Sequence, residues 1–123
     1  MDIIKKKTMK RIYHLSTCDT NKRIIHQLNP GKEIELIDIK QNNIDAKTLD
    51  WVKDKVGSYE ALFSKKALKY RALGLNNMNL TEDDYRKYML EEYTFLKRPF
   101  IILEDKVFVG NAKKTVEEAK TQM

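Results

Sequence analysis

Apolar positions along the chain fall into short groups with two distinct periods. Lys10 to Leu15 carries Ile12, Tyr13 and Leu15 and predicts a strand. Ser16, Thr17, Cys18, Asp19 and Thr20 then break the pattern with residue types that open helices. Ile24, Ile25 and Leu28 follow at helical spacing, predicting a helix from about Thr20 to Leu28 that Asn29-Pro30-Gly31 ends. Glu33 to Ile39 alternates, with Ile34 and Leu36 pointing inward and Ile37 and Ile39 as further apolar members, and predicts a second strand. Strand, helix, strand is a βαβ unit whose two strands are expected to be parallel.

The middle of the chain reads as helical. Asp45 is placed to cap a helix bearing Leu49, Trp51, Val52 and Val56, with Gly57 at its end. Ser58 to Phe63 predicts a short helical turn. Lys65 to Leu73 predicts another helix with Ala67, Leu68, Ala72 and Leu73 on its apolar side and Gly74 as its stop. Thr81, with Asp84 three residues on, resembles a capping box for a helix carrying Tyr85, Tyr88 and Met89, extending toward Phe95. Pro99 to Leu103 is a near-continuous apolar run, expected of a buried strand. Glu104-Asp105 turns the chain into a hairpin partner, Lys106 to Val109, and Ala112 to Lys120 closes with a helix bearing Val116 and Ala119. The predicted order is β-α-β, three or four helices, β-β, α. No repeat or long linker divides it, so residues 10–123 are expected to form one α/β domain behind a flexible leader, Met1 to Met9.

Composition narrows the class. With 41% hydrophobic and 34% charged residues the chain suits a globular domain and not a disordered one. No apolar run approaches the roughly 18 residues that span a bilayer, and the early lysines (Lys5, Lys6, Lys7 and Lys10) are not followed by a secretory apolar stretch. The cytoplasm is therefore the expected location. The net charge of +6 comes in part from the two ends of the chain and reads mainly as a solvated surface, or as attraction to an acidic partner. Nucleic-acid binding is not favoured, because Tyr85, Tyr88, Tyr93 and Phe95 are spaced for helix packing and not as a base-stacking platform.

The one cysteine, Cys18, excludes an internal disulfide and an all-cysteine metal site, so no metal is expected. It lies between a predicted strand and helix. The free N–H groups and positive dipole end of a helix favour a thiolate there, and Lys22 and Arg23 add positive charge. A free Cys is also often a small core residue; the polar flanks of Cys18 favour the reactive reading. His14 ends the preceding strand and is either structural or catalytic. Arg98-Pro99 opens the third strand. Pro99 is either a cis proline shaping a pocket opposite the cysteine, with Arg98 binding an oxyanion, or an edge-strand proline beside a surface arginine.

Three segments carry a family likeness: Tyr13-His14-x-x-x-Cys18 leading into a helix, Ala61-Leu62-Phe63 through Leu73-Gly74-Leu75, and Lys97-Arg98-Pro99-Phe100-Ile101-Ile102 followed by Lys106-Val107-Phe108-Val109-Gly110. In their order and separation the chain resembles the arsenate reductase (ArsC) and Spx-type family over about residues 10 to 120. The resemblance implies a thioredoxin-like mixed sheet with a helical insertion between the second and third strands. It implies that Cys18 is a nucleophile toward arsenate or a disulfide, released by glutathione and glutaredoxin as external reductants, with no bound cofactor. By the same resemblance Arg98 matches an oxyanion-binding arginine and His14 the histidine before the cysteine loop.

The chain also departs from the family pattern. Asn21-Lys22 stands where arsenate reductases of this type usually carry Ser-Arg. Ser64, beside Lys65 and Lys66, takes the place of a second arginine, and Val109-Gly110-Asn111 offers no third. Guanidinium forks suit a tetrahedral anion better than ammonium groups do. Arsenate is therefore not the favoured substrate, and Lys22, Asn21 and Lys65 are the candidates to complete a substrate site around Arg98. Spx-type regulators bind the RNA polymerase α subunit and often carry Cys-x-x-Cys. Here the second position is Asn21, so the regulatory alternative would work through binding RNA polymerase or another acidic partner, without an internal redox switch.

Overall fold

A four-stranded sheet carries the first and last parts of the chain. The structure, a computed structural model, describes residues 9–123; the leader expected over Met1 to Met9 lies, but for Met9, outside the described residues. The strands are β1 (Lys10–His14), β2 (Glu35–Asp38), β3 (Phe100–Leu103) and β4 (Lys106–Val109), in the order β2-β1-β3-β4. β1 and β2 run parallel, joined by helix α1 (Asp19–Leu28) as the βαβ reading requires, whereas β3 is antiparallel to both β1 and β4. Helices α2 (Ala46–Val56), α3 (Leu68–Ala72) and α4 (Glu82–Glu91) lie between β2 and β3, and α5 (Lys113–Thr121) follows β4.

Two compact units result. The described part of Met1–Asn42 together with Arg98–Met123 forms the first, and Asn43–Lys97 forms the second. The core of the first unit follows from side-chain alternation in strands. Ile12 of β1 and Ile101 and Leu103 of β3 bury one sheet face against Ile24 and Leu28 of α1 and Val116 and Ala119 of α5, with Ile34 completing the cluster. Their neighbours point the other way, and there Tyr13 and Phe100, opposite each other in the register, stack at 4.5 Å with rings 2° from parallel.

The second unit is organised around Phe63, whose ring meets Tyr70, Tyr85 and Phe95. Main-chain bonds from Ser64 N–H to Phe95 C=O (2.6 Å) and from Lys97 N–H to Leu62 C=O (2.8 Å) tie the two segments that flank α3 and α4. The ends of these helices are written locally. The Asp45 carboxylate accepts the Thr48 N–H at 2.7 Å, and Thr81 and Asp84 exchange the two bonds of a capping box. Gly57 closes α2 at φ 103°, a conformation that costs glycine little. Arg86 grips Asp50 with Nε and Nη2, and the Tyr59 hydroxyl donates to the same carboxylate.

Several expectations are corrected. Leu36 is not inward: it is 48% exposed, on β2, a four-residue strand at the edge of the sheet. Ile34 and Ile39, just outside that strand, are the buried members. The helix expected over Lys65 to Leu73 shrinks to five residues, too short to hold an apolar stripe, so Leu68 is 90% exposed and Leu73 57%, while Ala67 and Leu75 turn inward. Phe95 does not extend α4. It is buried from a separate 3₁₀ turn, Tyr93–Phe95.

Candidate functional site

The site is built where β1 hands the chain to α1. β1 and β2 are parallel, so their C-terminal ends lie side by side, with His14 paired to Asp38. β3 runs the other way. Its register, with Tyr13 opposite Phe100, brings the Arg98-Pro99 entry of β3 to the same end of the sheet. Arg98 is half-buried, Pro99 is buried, and the peptide bond between them is cis. The Pro99 carbonyl accepts the Gly110 N–H at 2.9 Å, tying the entry of β3 to the exit of β4.

Cys18 is the N-cap of α1, with extended backbone angles and a half-exposed side chain. Its N–H donates to Leu15 C=O (3.0 Å) and its carbonyl accepts the Lys22 N–H (3.0 Å), so the loop closes on the first helical turn. The positive end of the helix dipole faces this position. Two side chains hold the loop from behind. Asp38 accepts the Ser16 hydroxyl at 2.6 Å and the Ser16 N–H at 3.2 Å. Asn21 is 1% exposed; its Oδ1 accepts the Leu15 N–H at 2.9 Å and its Nδ2 donates to Cys18 Sγ at 3.5 Å.

The imidazole of His14 is held below its ordinary value of 6.5 by burial, against an opposing pull from Asp38. The Asp38 carboxyl is lowered chiefly by the Ser16 hydroxyl bond. Lys22 is exposed and pairs loosely with Asp19 at 4.0 Å. Lys65 belongs to the second unit, where its ammonium binds Glu60 at 2.7 Å and lies 5.8 Å from the centre of the Tyr85 ring. Within the first unit, the residues that share the β1–α1 end are Cys18, Asn21, His14 and the Arg98-Pro99 entry, together with Ser16 and Asp38. Asn21 faces the loop and the sulfur. Asp38 carries no motif that marks it in the sequence. Its signal was its position at the C-terminal end of the second parallel strand, next to the loop leaving the first. Among the described residues, no group of three or more His, Cys, Asp or Glu side chains is arranged to hold a metal ion, and no helix is long and apolar enough to cross a membrane.

The His14–Asp38 pair carries a pH prediction. Lowering the folded-state value of an imidazole means that the unfolded chain takes the proton first. His14 therefore contributes a loss of stability as pH falls through 6.5 toward its lower folded value. The contribution of Asp38 is lost only further down, as pH falls from 3.8 through its depressed folded value. An NMR titration of His14 should give a midpoint below 6.5. Asp38→Asn should move that midpoint lower still, since it removes an attraction that favours the imidazolium; an upward move would contradict the arrangement.

A mixed β2-β1-β3-β4 sheet with a parallel βαβ opening, an antiparallel hairpin at its close and a cysteine at the first strand–helix junction define a thioredoxin-like protein. The model of the ArsC family matches residues 13–119, and the chain belongs to that family. Among solved structures, the ArsC-related protein of Brucella melitensis is 28% identical with a TM-score of 0.68, over 89% of this chain and 92% of that one. The arsenate reductase of Vibrio cholerae is 21% identical with a TM-score of 0.75, over 90% and 97%. Among curated proteins none matches the chain.

Proposed function

We propose that this chain is a thiol oxidoreductase of the arsenate-reductase type, with Cys18 as its one nucleophilic sulfur and an external thiol such as glutathione as reductant. The observation that carries the reading is the setting of Cys18: a half-exposed thiol at a helix N-terminus, with an amide donor on the sulfur. Membership of the ArsC family supports it. The step is a thiol–disulfide exchange. The Cys18 thiolate attacks one sulfur of a mixed disulfide between glutathione and a substrate thiol. A Cys18–glutathione disulfide forms and the substrate leaves as its thiolate. A glutathione thiolate then attacks the glutathione sulfur of that adduct, giving oxidised glutathione and restoring Cys18. With no second cysteine in the chain, the resolving sulfur comes from outside, from glutathione or a glutaredoxin. A reducing compartment such as the cytoplasm suits this chemistry.

Arg98 and Lys22 are the cations of this unit nearest in sequence to the cis proline and to the cysteine, and they suit the carboxylates of a glutathionyl group. Arsenate is the less favoured electrophile, because Lys65 is bound to Glu60 and Asn21 stands where the family carries serine. The test is intact-mass analysis after oxidised glutathione is added. One adduct on Cys18, released by reduced glutathione, is expected. No adduct, or an adduct that glutathione cannot release, would sink the reading. Protection of Cys18 from iodoacetamide by arsenate would restore arsenate as substrate.

A second reading is a binding protein of the Spx kind, and the exposure of Leu68, Leu73 and Met78 in the second unit favours it. The partner would be the RNA polymerase α subunit or another acidic surface. Titration with the isolated α subunit at low salt, where charge attraction is strongest, tests it; no binding there would exclude that partner.

A further inference from the structure

We propose that Asn21 is the positioning residue for the Cys18 sulfur, anchoring the cysteine loop with one end of its amide and directing a donor at the sulfur with the other. The proposal rests on the reading of Cys18 as the nucleophile and assigns this asparagine a role within it.

Asn21 stands out because it is polar and yet only 1% exposed. A buried amide is costly unless it is hydrogen-bonded. It sits in the first turn of α1, three residues after Cys18, and helical side chains lean toward the N-terminus of their helix. That lean returns its amide over the loop it has just left. There the Leu15 N–H needs an acceptor and finds Oδ1 at 2.9 Å. A main-chain N–H can only donate, so this contact fixes which end of the amide is oxygen. Nδ2 is then directed at Sγ, 3.5 Å away.

Two consequences follow. The sulfur's position is tied to the main chain of Leu15, directly after β1, through a single rigid group. A hydrogen bond to the ionised form is also stronger than one to the neutral form, so the donor favours thiolate over thiol. Lys22, the adjacent cation, is exposed and pairs only loosely with Asp19, 4.0 Å away. The asparagine donor is neutral and keeps its proton across the whole working pH range, so it does not titrate against the sulfur it serves.

The first test uses the unaltered chain. In a proton–nitrogen NMR titration, the Asn21 side-chain amide resonances should move over the pH interval in which iodoacetamide alkylation of Cys18 turns on. In Cys18→Ser, where position 18 no longer ionises, that movement should vanish, leaving only movement that tracks the neighbouring His14, which titrates below 6.5, and Asp38, which titrates below 3.8. Resonances that stay flat in the unaltered chain would overturn the proposal. The second test is Asn21→Asp, which keeps the acceptor for Leu15 but turns an acceptor and a negative charge toward the sulfur. Alkylation at pH 7 should slow about tenfold or more, with the Leu15 amide still protected from exchange. An unchanged rate would overturn the proposal. The two readings fail separately. Titrating Asn21 resonances without any glutathione adduct would leave the positioning contact standing and remove the enzyme. A releasable adduct with flat Asn21 resonances would do the reverse.

Discussion

Cys18→Ser should abolish formation of the glutathione adduct and all turnover of a glutathionylated substrate, while leaving the fold and its thermal midpoint nearly unchanged. A hydroxyl is a far weaker nucleophile than a thiolate at neutral pH and forms no disulfide, so the exchange loses its attacking atom. No other sulfur can take over as a thiol, because Cys18 is the one cysteine. The structural cost is small. The cysteine makes its N-cap bonds through its main chain, which serine shares, and Asn21 Nδ2 can donate to an Oγ as it does to Sγ. Serine is also a favoured N-cap residue. Intact-mass analysis with oxidised glutathione reads the chemistry, and circular dichroism reads the fold. An adduct that persists in Cys18→Ser would mean reaction outside the proposed site. A large fall in thermal midpoint would mean that the cysteine is chiefly a packing residue.

Much of the first unit was legible from periodicity. The apolar run over Phe100–Leu103 and the hairpin after it required a buried central strand and its partner, and they are β3 and β4. Cys18 was legible for the same reason, since it stands where the strand period stops and the helix period starts. What was not legible depended on neighbours that sequence does not name. Leu36 has the alternation of an inward residue, but only the position of β2 at the sheet edge leaves it half exposed. Asp38 is one carboxylate among many until the parallel pairing sets it beside Ser16. The direction of the Asn21 amide depends on a main-chain N–H six residues earlier. The ion pair of Lys65 with Glu60, five residues away in sequence, is likewise set by the fold of the second unit and not by any motif.

Phe63→Ala should be the most destabilising single substitution in the second unit, with a loss of about 3–5 kcal/mol. Phe63 is 1% exposed. Its ring stacks on Phe95 at 5.0 Å, tilts against Tyr85 at 4.8 Å and meets the edge of Tyr70 at 5.9 Å. These partners come from α4, from the 3₁₀ turn after it and from α3, so one ring joins three segments. Truncation removes the ring's buried apolar area and leaves a cavity that three rigid aromatics can only partly fill. The aromatic pairs add about 0.5–1.5 kcal/mol beyond area. Against a typical total of about 5–15 kcal/mol, that loss is a large fraction. Trp51, in α2, is the one tryptophan and lies in the same unit, so its fluorescence in urea reports the transition directly. The midpoint should fall steeply in Phe63→Ala and much less in Phe63→Leu, which keeps most of the volume. The main-chain bridge between Phe63 and Leu96 does not depend on the ring. A loss below about 1 kcal/mol, typical of a peripheral substitution, would therefore mean that the backbone ties, and not the aromatic hub, hold this unit together.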